Sequence, residues 1–340
     1  MASKFSFNSD LLSKHRSSLY GVAAIMIICV HSCKFWGNES ALARLASSIF
    51  QYGSLGVPVF GFLGGVGLYF SLIKKPKLST YYLKRFKRVF LPYLCIAFIW
   101  YAYEYLILKF DFMSFCMEIS TVGFWTQHTS MWYIAMLIPV YALFPFYSRW
   151  IERGKRGIRT TVAIIIIFLL MVIIYHIDPS LHQHLQLVLR TLALILFGYY
   201  LGEKVIRKER LSILYVIAPI ALFATYKLIL RCFHLPEYEP FWSMNFAFLA
   251  LPVSIVLSIL FEYVGSMVAP LRSFGAVSLE SYVWNQVLIK FQQAISAYNG
   301  FCASHPLMIY ILLVPVGIFL SYLTYWLLQG KGARNNRKVL

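Results

Sequence analysis

The segment LYGVAAIMIICVHS closes a strongly apolar stretch with a histidine, His31. A neutral imidazole keeps a free lone pair on one ring nitrogen, and this nitrogen can take a proton from a hydroxyl group during catalysis. A histidine at the end of an apolar helix is also typical of the membrane interface, where headgroups and water solvate it. Two hypotheses therefore stand for His31, a catalytic base and an interfacial histidine.

Two further residues that could do chemistry precede His31 on the same predicted helix. Tyr20 lies eleven residues earlier, which is close to three full helical turns, so both side chains point from one helix face. Arg16 lies one turn before Tyr20 and roughly 60° away from that face. A polar group near one end of the helix is thus aligned with His31 near the other, although Tyr20 alone is equally typical of an aromatic belt.

The segment YYLKRFKRVFLPY places Arg85 and Arg88 three residues apart at the start of an apolar run. On an α-helix this spacing puts both guanidinium groups on one face, where two planar forks suit phosphate groups. Lys84 and Lys87 add positive charge. The alternative is ordinary anchoring of a membrane helix by basic residues.

Aromatic residues begin another apolar run, in the segment QHTSMWYIAMLIPVYALFPF. Trp132 and Tyr133 are typical of a membrane interface, and they also offer a surface on which a sugar ring can stack. The glycine-rich segment GVPVFGFLGGVGLYF favours close packing between helices.

A polar patch interrupts the segment FGAVSLESYVWNQVLI. Glu280 lies near its start, and Asn285 and Gln286 lie deeper in the predicted helix. Such groups should face protein or water rather than lipid. We expect Glu280 to pair with Arg85 or Arg88, which would give it a structural role.

Other charged residues also lie within apolar runs. Three of them, Glu104, Arg190 and Lys227, fall in the half of the membrane predicted to be the outer one. Together with His31 they favour a polar cavity that opens outward. Each could instead extend its charged end to the interface. His182 and His184 lack a third ligand, so we predict no metal site.

Helices that lie in lipid are needed to position these side chains. Of 340 residues, 60% are hydrophobic and 13% are charged, and the mean hydropathy is +0.68, as in membrane proteins. Ten apolar runs approach the length of a spanning helix: 19–35, 53–73, 89–108, 131–147, 160–175, 187–201, 211–230, 245–264, 274–291 and 307–328. We predict an all-α fold, a polytopic bundle of about ten transmembrane helices. One domain would cover 1–340, with short tails at 1–18 and 329–340.

The distribution of charge predicts the orientation of this bundle. The net charge is +18, but most Lys and Arg residues fall in alternate loops, on the side of the N-terminus. This is the positive-inside pattern, so we predict that both termini are cytoplasmic and that no nucleic acid is bound. The first run should remain attached as a signal-anchor. Six cysteines lack metal-type spacing, and disulfides on the outer side are left open.

The ordered set of segments resembles acyltransferase family 3, whose members are integral-membrane acyltransferases that modify bacterial surface polysaccharides and related glycans. LYGVAAIMIICVHS resembles the first span of the family and GVPVFGFLGGVGLYF the second. LKRFKRVFLPY is similar to its paired-arginine motif, MWYIAMLIPVYALFP to its Trp-aromatic span, and SLESYVWNQVLI to its penultimate block. The resemblance covers nearly the whole chain.

This resemblance implies transfer of an acyl group, most often acetyl, from cytoplasmic acyl-coenzyme A to a sugar hydroxyl at the outer face of the bacterial cytoplasmic membrane. His31 matches the essential histidine of the family, and Arg85 and Arg88 match the arginine pair of the acyl-donor site. Acyl-coenzyme A would be a co-substrate, and no permanently bound cofactor is expected. The partners implied are the lipid bilayer, the glycan acceptor and acyl-coenzyme A; the oligomeric state is left open.

Roles for the remaining candidates follow from combining the resemblance with the residue types. Glu104 is predicted to orient the imidazole as part of the catalytic site. Arg16 and Tyr20 are assigned to the donor site, and Trp132, Tyr133 and Asn285 are assigned to the acceptor site. All five assignments are predictions. The chain departs from the family pattern at two of them, because the family has Arg or Lys where Tyr20 stands and often has His where Asn285 stands. Arg16 is the hypothetical substitute for the missing cation.

Two mechanisms and three classes of function remain open at this point. His31 could act as a general base, or it could carry the acyl group itself between donor and acceptor. A transporter or flippase of a glycan or of a small polar substrate is the alternative to an enzyme, because polar residues and prolines within spans suit translocation as well. A non-catalytic partner in polysaccharide assembly is the third.

Overall fold

The computed structural model describes residues 6–36, 41–127 and 131–329, and it confirms the all-α prediction. Apolar segments form helices in lipid because a helix satisfies the backbone N–H and C=O groups within the segment. The described α-helices are α1 Asp10–Lys14, α2 Arg16–Ser32, α3 Ala41–Gln51, α4 Gly56–Leu72, α5 Leu78–Arg85, α6 Leu91–Tyr101, α7 Phe112–Ile119, α8 Val122–Gln127, α9 Trp132–Glu152, α10 Arg156–Ile177, α11 Pro179–Ile206, α12 Leu214–Cys232, α13 Glu239–Phe248, α14 Ala250–Val264, α15 Ala269–Ala276, α16 Ser278–Tyr298, α17 Gly300–Ser304 and α18 Pro306–Gln329. The ends of the two predicted tails lie outside the described residues.

Shorter elements connect these helices. Three 3₁₀ turns cover Cys33–Phe35, Tyr52–Leu55 and Gly265–Val268. Two π-helical segments, Phe86–Phe90 and Ala102–Leu108, flank α6. Two short antiparallel strands, β1 Ser6–Asn8 and β2 Arg210–Ser212, pair with each other.

Nine helical stretches in the described part of the chain are long and apolar enough to cross a membrane. They are Arg16–Phe35, Ala43–Leu72, Leu78–Leu108, Trp132–Glu152, Arg156–Ile177, Pro179–Ile206, Leu214–Cys232, Glu239–Ala276 and Pro306–Leu328. The tenth predicted run, 274–291, falls largely on α16, a 21-residue helix that is not among the nine. Its Glu, Asn, Gln and Lys side chains make it more polar than the others, and its crossing of the membrane stays a prediction.

The chain divides into two compact units. The first unit comprises Met1–Ala23, Ser54–Lys77 and Leu143–Gly275, and the second comprises Ala24–Gly53, Leu78–Ala142 and Ala276–Leu340. Helices α2 and α9 contribute to both units. The assignment of the whole chain to one domain stays a prediction.

Close packing of α4 against α11 forms the centre of the first unit. Gly61 and Gly65 of α4 lie against the backbone of α11, and Gly198 of α11 lies against the backbone of α4 at Phe62. A Cβ atom on any of these glycines would collide with the facing helix. Small residues four apart allow two membrane helices to approach in this way, so the prediction that the glycine-rich segment serves helix packing is confirmed.

Residues 6–14 contact other parts of the first unit. Strand β1 pairs with β2 through Ser6 and Ser212, and Ser9 Oγ donates a hydrogen bond of 2.9 Å to the Lys204 carbonyl. Lys14 Nζ contacts the Glu262 carboxylate at 2.6 Å. The N-terminal segment thus lies beside loops that were predicted to share its side of the membrane. The cytoplasmic location of that side stays a prediction.

Helix α16 is central to the second unit, where it packs against α18 and α6. Phe35, Ile289 and Tyr310 form a buried cluster, and the rings of Phe35 and Tyr310 lie 5.0 Å apart. Because Tyr310 is only 1% exposed, its hydroxyl needs a hydrogen-bond partner within the protein. This requirement links the apolar packing to the polar groups of α16.

Candidate active site

The imidazole of His31 is held by a directional chain of hydrogen bonds. The Tyr310 hydroxyl donates to the Ile28 carbonyl at 3.0 Å, so it accepts from the Asn285 Nδ2 amide group at 2.8 Å. This arrangement turns Asn285 Oδ1 toward His31, and Oδ1 contacts His31 Nδ1. Since an amide oxygen only accepts, Nδ1 carries the proton and donates it. A backbone carbonyl therefore sets the tautomer of His31 through two buried side chains.

The other ring nitrogen of His31 is consequently the one with the lone pair. Gln286 Nε2 lies 3.3 Å from His31 Nε2, at the long end of the hydrogen-bond range. His31 is partly exposed, whereas Asn285 is buried. In the neutral imidazole with this orientation, Nε2 is the proton acceptor, which is the form that general-base catalysis requires. Nε2 is equally the nitrogen that an acyl group would occupy if His31 were the nucleophile.

Glu104, which was predicted to orient this imidazole, has other partners. It lies in the π-helical segment after α6, where Trp100 Nε1 donates to its Oε2 at 2.6 Å and Lys109 Nζ contacts its Oε1 at 2.8 Å. Lys290 Nζ lies 3.9 Å from Oε2. Among the described contacts, His31 Nδ1 donates its orienting hydrogen bond to Asn285 Oδ1 instead. A catalytic role for Glu104 stays a prediction.

Arg88 is fixed by a buried carboxylate. Its Nη1 lies 2.9 Å from Glu280 Oε1 and its Nη2 donates to the Ala276 carbonyl at 2.8 Å. The Glu280 side chain is fully buried and that of Arg88 is 39% exposed. The predicted pairing of Glu280 is thereby confirmed. Arg88 also lies over the ring of Tyr325, at 5.6 Å from its centroid.

Arg85 has a different environment. Its guanidinium lies over the rings of Tyr81 and Tyr141, at 5.3 Å and 5.1 Å. No carboxylate forms an ion pair with it within residues 6–36, 41–127 and 131–329. The segment after Arg85 is π-helical rather than α-helical, so the expected α-helical spacing of the two arginines is wrong. A π-helical turn contains more residues than an α-helical one, and three residues therefore cover a smaller part of it.

Arg16 and Tyr20 lie in the first unit, against α4. The ring of Tyr20 stacks on Phe60 with 5.2 Å between centroids, and the Arg16 guanidinium lies over Phe70 at 5.6 Å. Both residues thus face one neighbouring helix. Their predicted contribution to the donor site stays a prediction.

The two aromatic residues at the start of α9 differ in burial. Trp132 is partly exposed, whereas Tyr133 is buried against Tyr282 of α16, with the ring centroids 5.6 Å apart. The exposed part of Trp132 fits the predicted stacking surface for a sugar. Tyr133 connects this surface to the helix that carries Asn285 and Gln286. Acceptor binding by Trp132, Tyr133 and Asn285 stays a prediction.

The sequence contained no signal for two parts of this site. Tyr310 lies within an apolar run, where a tyrosine is typical of an aromatic belt, yet its hydroxyl orients Asn285. Gln286 was predicted to face protein or water, but its pairing with His31 joins residues 255 positions apart. Only the polarity of the NQ pair pointed to this region.

Charged residues elsewhere in the spans have local partners. Arg190 is buried, with Nη1 at 3.3 Å from Ser243 Oγ, and Lys227 pairs with Glu237. His182 packs against Tyr175. No group of three or more His, Cys, Asp or Glu side chains within the described ranges is arranged to hold a metal ion, and all six cysteines are free.

The fold and the site define a multi-pass helical membrane protein with an oriented histidine. A family model described as an acyltransferase domain matches residues 19–326. The chain therefore belongs to acyltransferase family 3, as the resemblance predicted, and it is a membrane acyltransferase. No match was found among curated proteins or among solved structures. Arg16 lies outside the matched range, and the other predicted site residues lie within it.

Proposed function

We propose that this protein transfers an acetyl group from cytoplasmic acetyl-coenzyme A to a hydroxyl of a cell-surface or exopolysaccharide sugar, in the bacterial cytoplasmic membrane. Membership of the family supports acyl transfer. The observation that carries the proposal is the hydrogen-bond chain from Ile28 to His31, which leaves Nε2 as a proton acceptor.

In this mechanism His31 acts as general base. The acceptor hydroxyl takes the position of the Gln286 amide at Nε2 and gives its proton to that nitrogen as its oxygen attacks the thioester carbonyl carbon. The carbon–sulfur bond then breaks, and the coenzyme A thiolate leaves. The protonated His31 returns the proton to this thiolate. Asn285 Oδ1 accepts from Nδ1–H throughout, so the ring keeps its orientation.

The donor would bind at the opposite end of the second unit. Arg85 carries a full positive charge beside aromatic rings, and the exposed part of Arg88 adds a second guanidinium. These two side chains suit the phosphates of coenzyme A. Tyr325 of α18 marks the level of Arg88, and Tyr310 of the same helix marks the level of His31. A donor that enters beside Arg88 and follows α18 would bring its thioester toward His31.

The acceptor would approach from the side of Trp132. Its partly exposed indole can stack on the face of a sugar ring. The rings of Tyr133 and Tyr282 lie between this indole and Gln286. Gln286 in turn contacts His31 Nε2. A sugar bound here would present a hydroxyl to His31 Nε2.

Mass spectrometry of surface glycans tests this proposal. A strain that lacks the gene is complemented with the wild type, with His31→Ala, or with His234→Asn, a change at an exposed turn residue in the left-handed region that asparagine tolerates. We expect acetyl esters to vanish on deletion and to return with the wild type and with His234→Asn only. Unchanged acetylation in the deletion strain would contradict the proposal.

A further inference from the structure

A small cavity lies beside the Asn285 amide in the second unit. Its volume is about 10 Å³, near the lower limit for a single water molecule, so it can hold one small group. Most of its wall is apolar. Its lining includes Ser281, Asn285, Leu288, Val314 and Gly317.

The cavity lies between the arginine level and the histidine level of this unit. Along α16, Glu280 contacts Arg88, Ser281 lines the cavity, and Asn285 contacts His31. Helix α18 passes the same three levels in the opposite direction, from the histidine level to the arginine level. Tyr310 contacts Asn285, Gly317 lines the cavity, and Tyr325 lies beneath Arg88.

Given the proposed function, this position suits one part of the donor. A thioester that reaches His31 from the arginine level must place its acyl substituent somewhere beside the imidazole. We propose that this cavity binds the methyl group of the transferred acetyl, and that Leu288 and Gly317 set the length of the acyl chain. The proposal rests on the proposed function and adds the residues that select the donor.

The Leu288 side chain and the backbone at Gly317 limit the space in this cavity. A Cβ atom added to Gly317 would lie 2.7 Å from Leu288 Cδ1, so this pair is already in close contact. A longer acyl chain in this cavity would have to displace Leu288, as a Cβ atom at position 317 would. One additional methylene in an apolar pocket of fixed size changes selectivity about 10- to 200-fold. The wild type should therefore prefer acetyl-coenzyme A over propionyl-coenzyme A by at least about 10-fold.

The test compares transfer rates from acetyl-, propionyl- and butyryl-coenzyme A, using the full-length protein in detergent or vesicles. Leu288→Ala removes three carbon atoms from the wall, and we expect it to lower the acetyl-to-propionyl ratio at least about 10-fold. Adding Gly317→Ala to this variant puts a methyl group into the same space, so we expect the ratio to return toward the wild-type value. Val314→Ala is a second enlarging variant should Leu288→Ala fail to fold.

Leu312→Ala is the matched control, because Leu312 lies on the same helix but is 62% exposed. A cavity that holds only water predicts the same ratio in every variant. Transfer that proceeds with an unchanged ratio in folded Leu288→Ala and Val314→Ala would overturn the pocket and leave the proposed function intact. Absence of transfer from every acyl-coenzyme A in the wild type would instead contradict the proposed function, and the pocket with it.

Discussion

At the scale of the residue, orientation of the catalytic imidazole depends on an amide and a phenol. An aspartate in the place of Asn285 would carry a charge in lipid, whereas the amide fixes the same tautomer without one. The amide NH₂ group of Asn285 then needs a hydrogen-bond acceptor of its own, and the Tyr310 hydroxyl is that acceptor. His31 could be predicted as a site residue because it ends an apolar run and matches the essential histidine of the family. Its partners lie on distant helices and have no local pattern.

Asn285→Ala should lower kcat and leave KM for acyl-coenzyme A nearly unchanged. Loss of a hydrogen bond to a buried polar group costs about 1 to 3 kcal/mol, which corresponds to about 5- to 150-fold in rate. Tyr310→Phe should reduce kcat less, by under about 10-fold, since the amide remains and only its anchor is lost. Steady-state kinetics measure both changes in kcat. Gln293→Ala is the control, because Gln293 is an exposed residue of α16. A wild-type kcat for Asn285→Ala would show that the tautomer is set in another way.

The two arginines should respond differently to substitution. Arg88→Met leaves the Glu280 carboxylate buried without its cation, and we expect the free energy of unfolding to fall by about 2 to 3 kcal/mol. This is somewhat less than for a fully buried ion pair, because the Arg88 side chain is 39% exposed. Arg85→Met leaves no buried carboxylate unpaired and removes only cation–π contacts worth about 0.5 to 1 kcal/mol each, so it should cost less stability than Arg88→Met. It should raise KM for acyl-coenzyme A about 10-fold, since one charge-assisted contact is lost.

Unfolding in detergent and donor kinetics measure these two effects. Glu280→Gln, added to Arg88→Met, removes the unpaired charge and should restore most of the stability. Equal stability of the Arg85 and Arg88 variants would argue against the structural role of the Arg88 ion pair.

At the scale of the element, the apolar runs predicted helices well and backbone details poorly. Hydrophobicity alone was sufficient for the nine spanning stretches, because each must satisfy its backbone groups internally. The π-helical segments on either side of α6 have no comparable signal, and the one before α6 changes the expected spacing of Arg85 and Arg88. Helix α16 was predicted as a span although its polar residues make it the exception. Those residues include the ones that contact His31 and Arg88.

The α4–α11 contact provides a matched pair of substitutions. Gly65→Ala should destabilise the protein by about 1 to 3 kcal/mol, because the new Cβ would meet the Ile195 carbonyl and the Tyr199 amide. Gly64→Ala is the control, since nothing lies within 4 Å of a Cβ atom there. Thermal unfolding of both variants in detergent measures the difference. Equal midpoints would show that the two helices can separate without loss of stability.

At the scale of the whole molecule, the sequence predicted a membrane bundle and an orientation. Family membership and the described helices establish a multi-pass membrane acyltransferase. The pairing of β1 with β2 brings the N-terminal segment to the loop before α12, which agrees with their predicted location on one side. Which side this is depends on the distribution of Lys and Arg, a property that acts during insertion and leaves no contact in the fold.

Labelling of single cysteines tests this orientation. In a background that lacks the six native cysteines, Lys208→Cys and His234→Cys introduce thiols at two exposed turn residues, both with positive φ. With a cytoplasmic N-terminus, a membrane-impermeant maleimide added to whole cells should label position 234 and leave position 208 unlabelled until the cells are opened. The reverse pattern would place the N-terminus outside.

The most direct test of the central claim is acetyl transfer by the purified protein. Radiolabelled acetyl-coenzyme A and glycan from the deletion strain are mixed with wild-type protein, His31→Ala or His234→Asn in vesicles. We expect labelled glycan with the wild type and with His234→Asn. The rate with His31→Ala should be at least about 100-fold lower, because a positioned general base contributes about that much. Transfer by folded His31→Ala at the wild-type rate would contradict the assignment of His31 as the catalytic base.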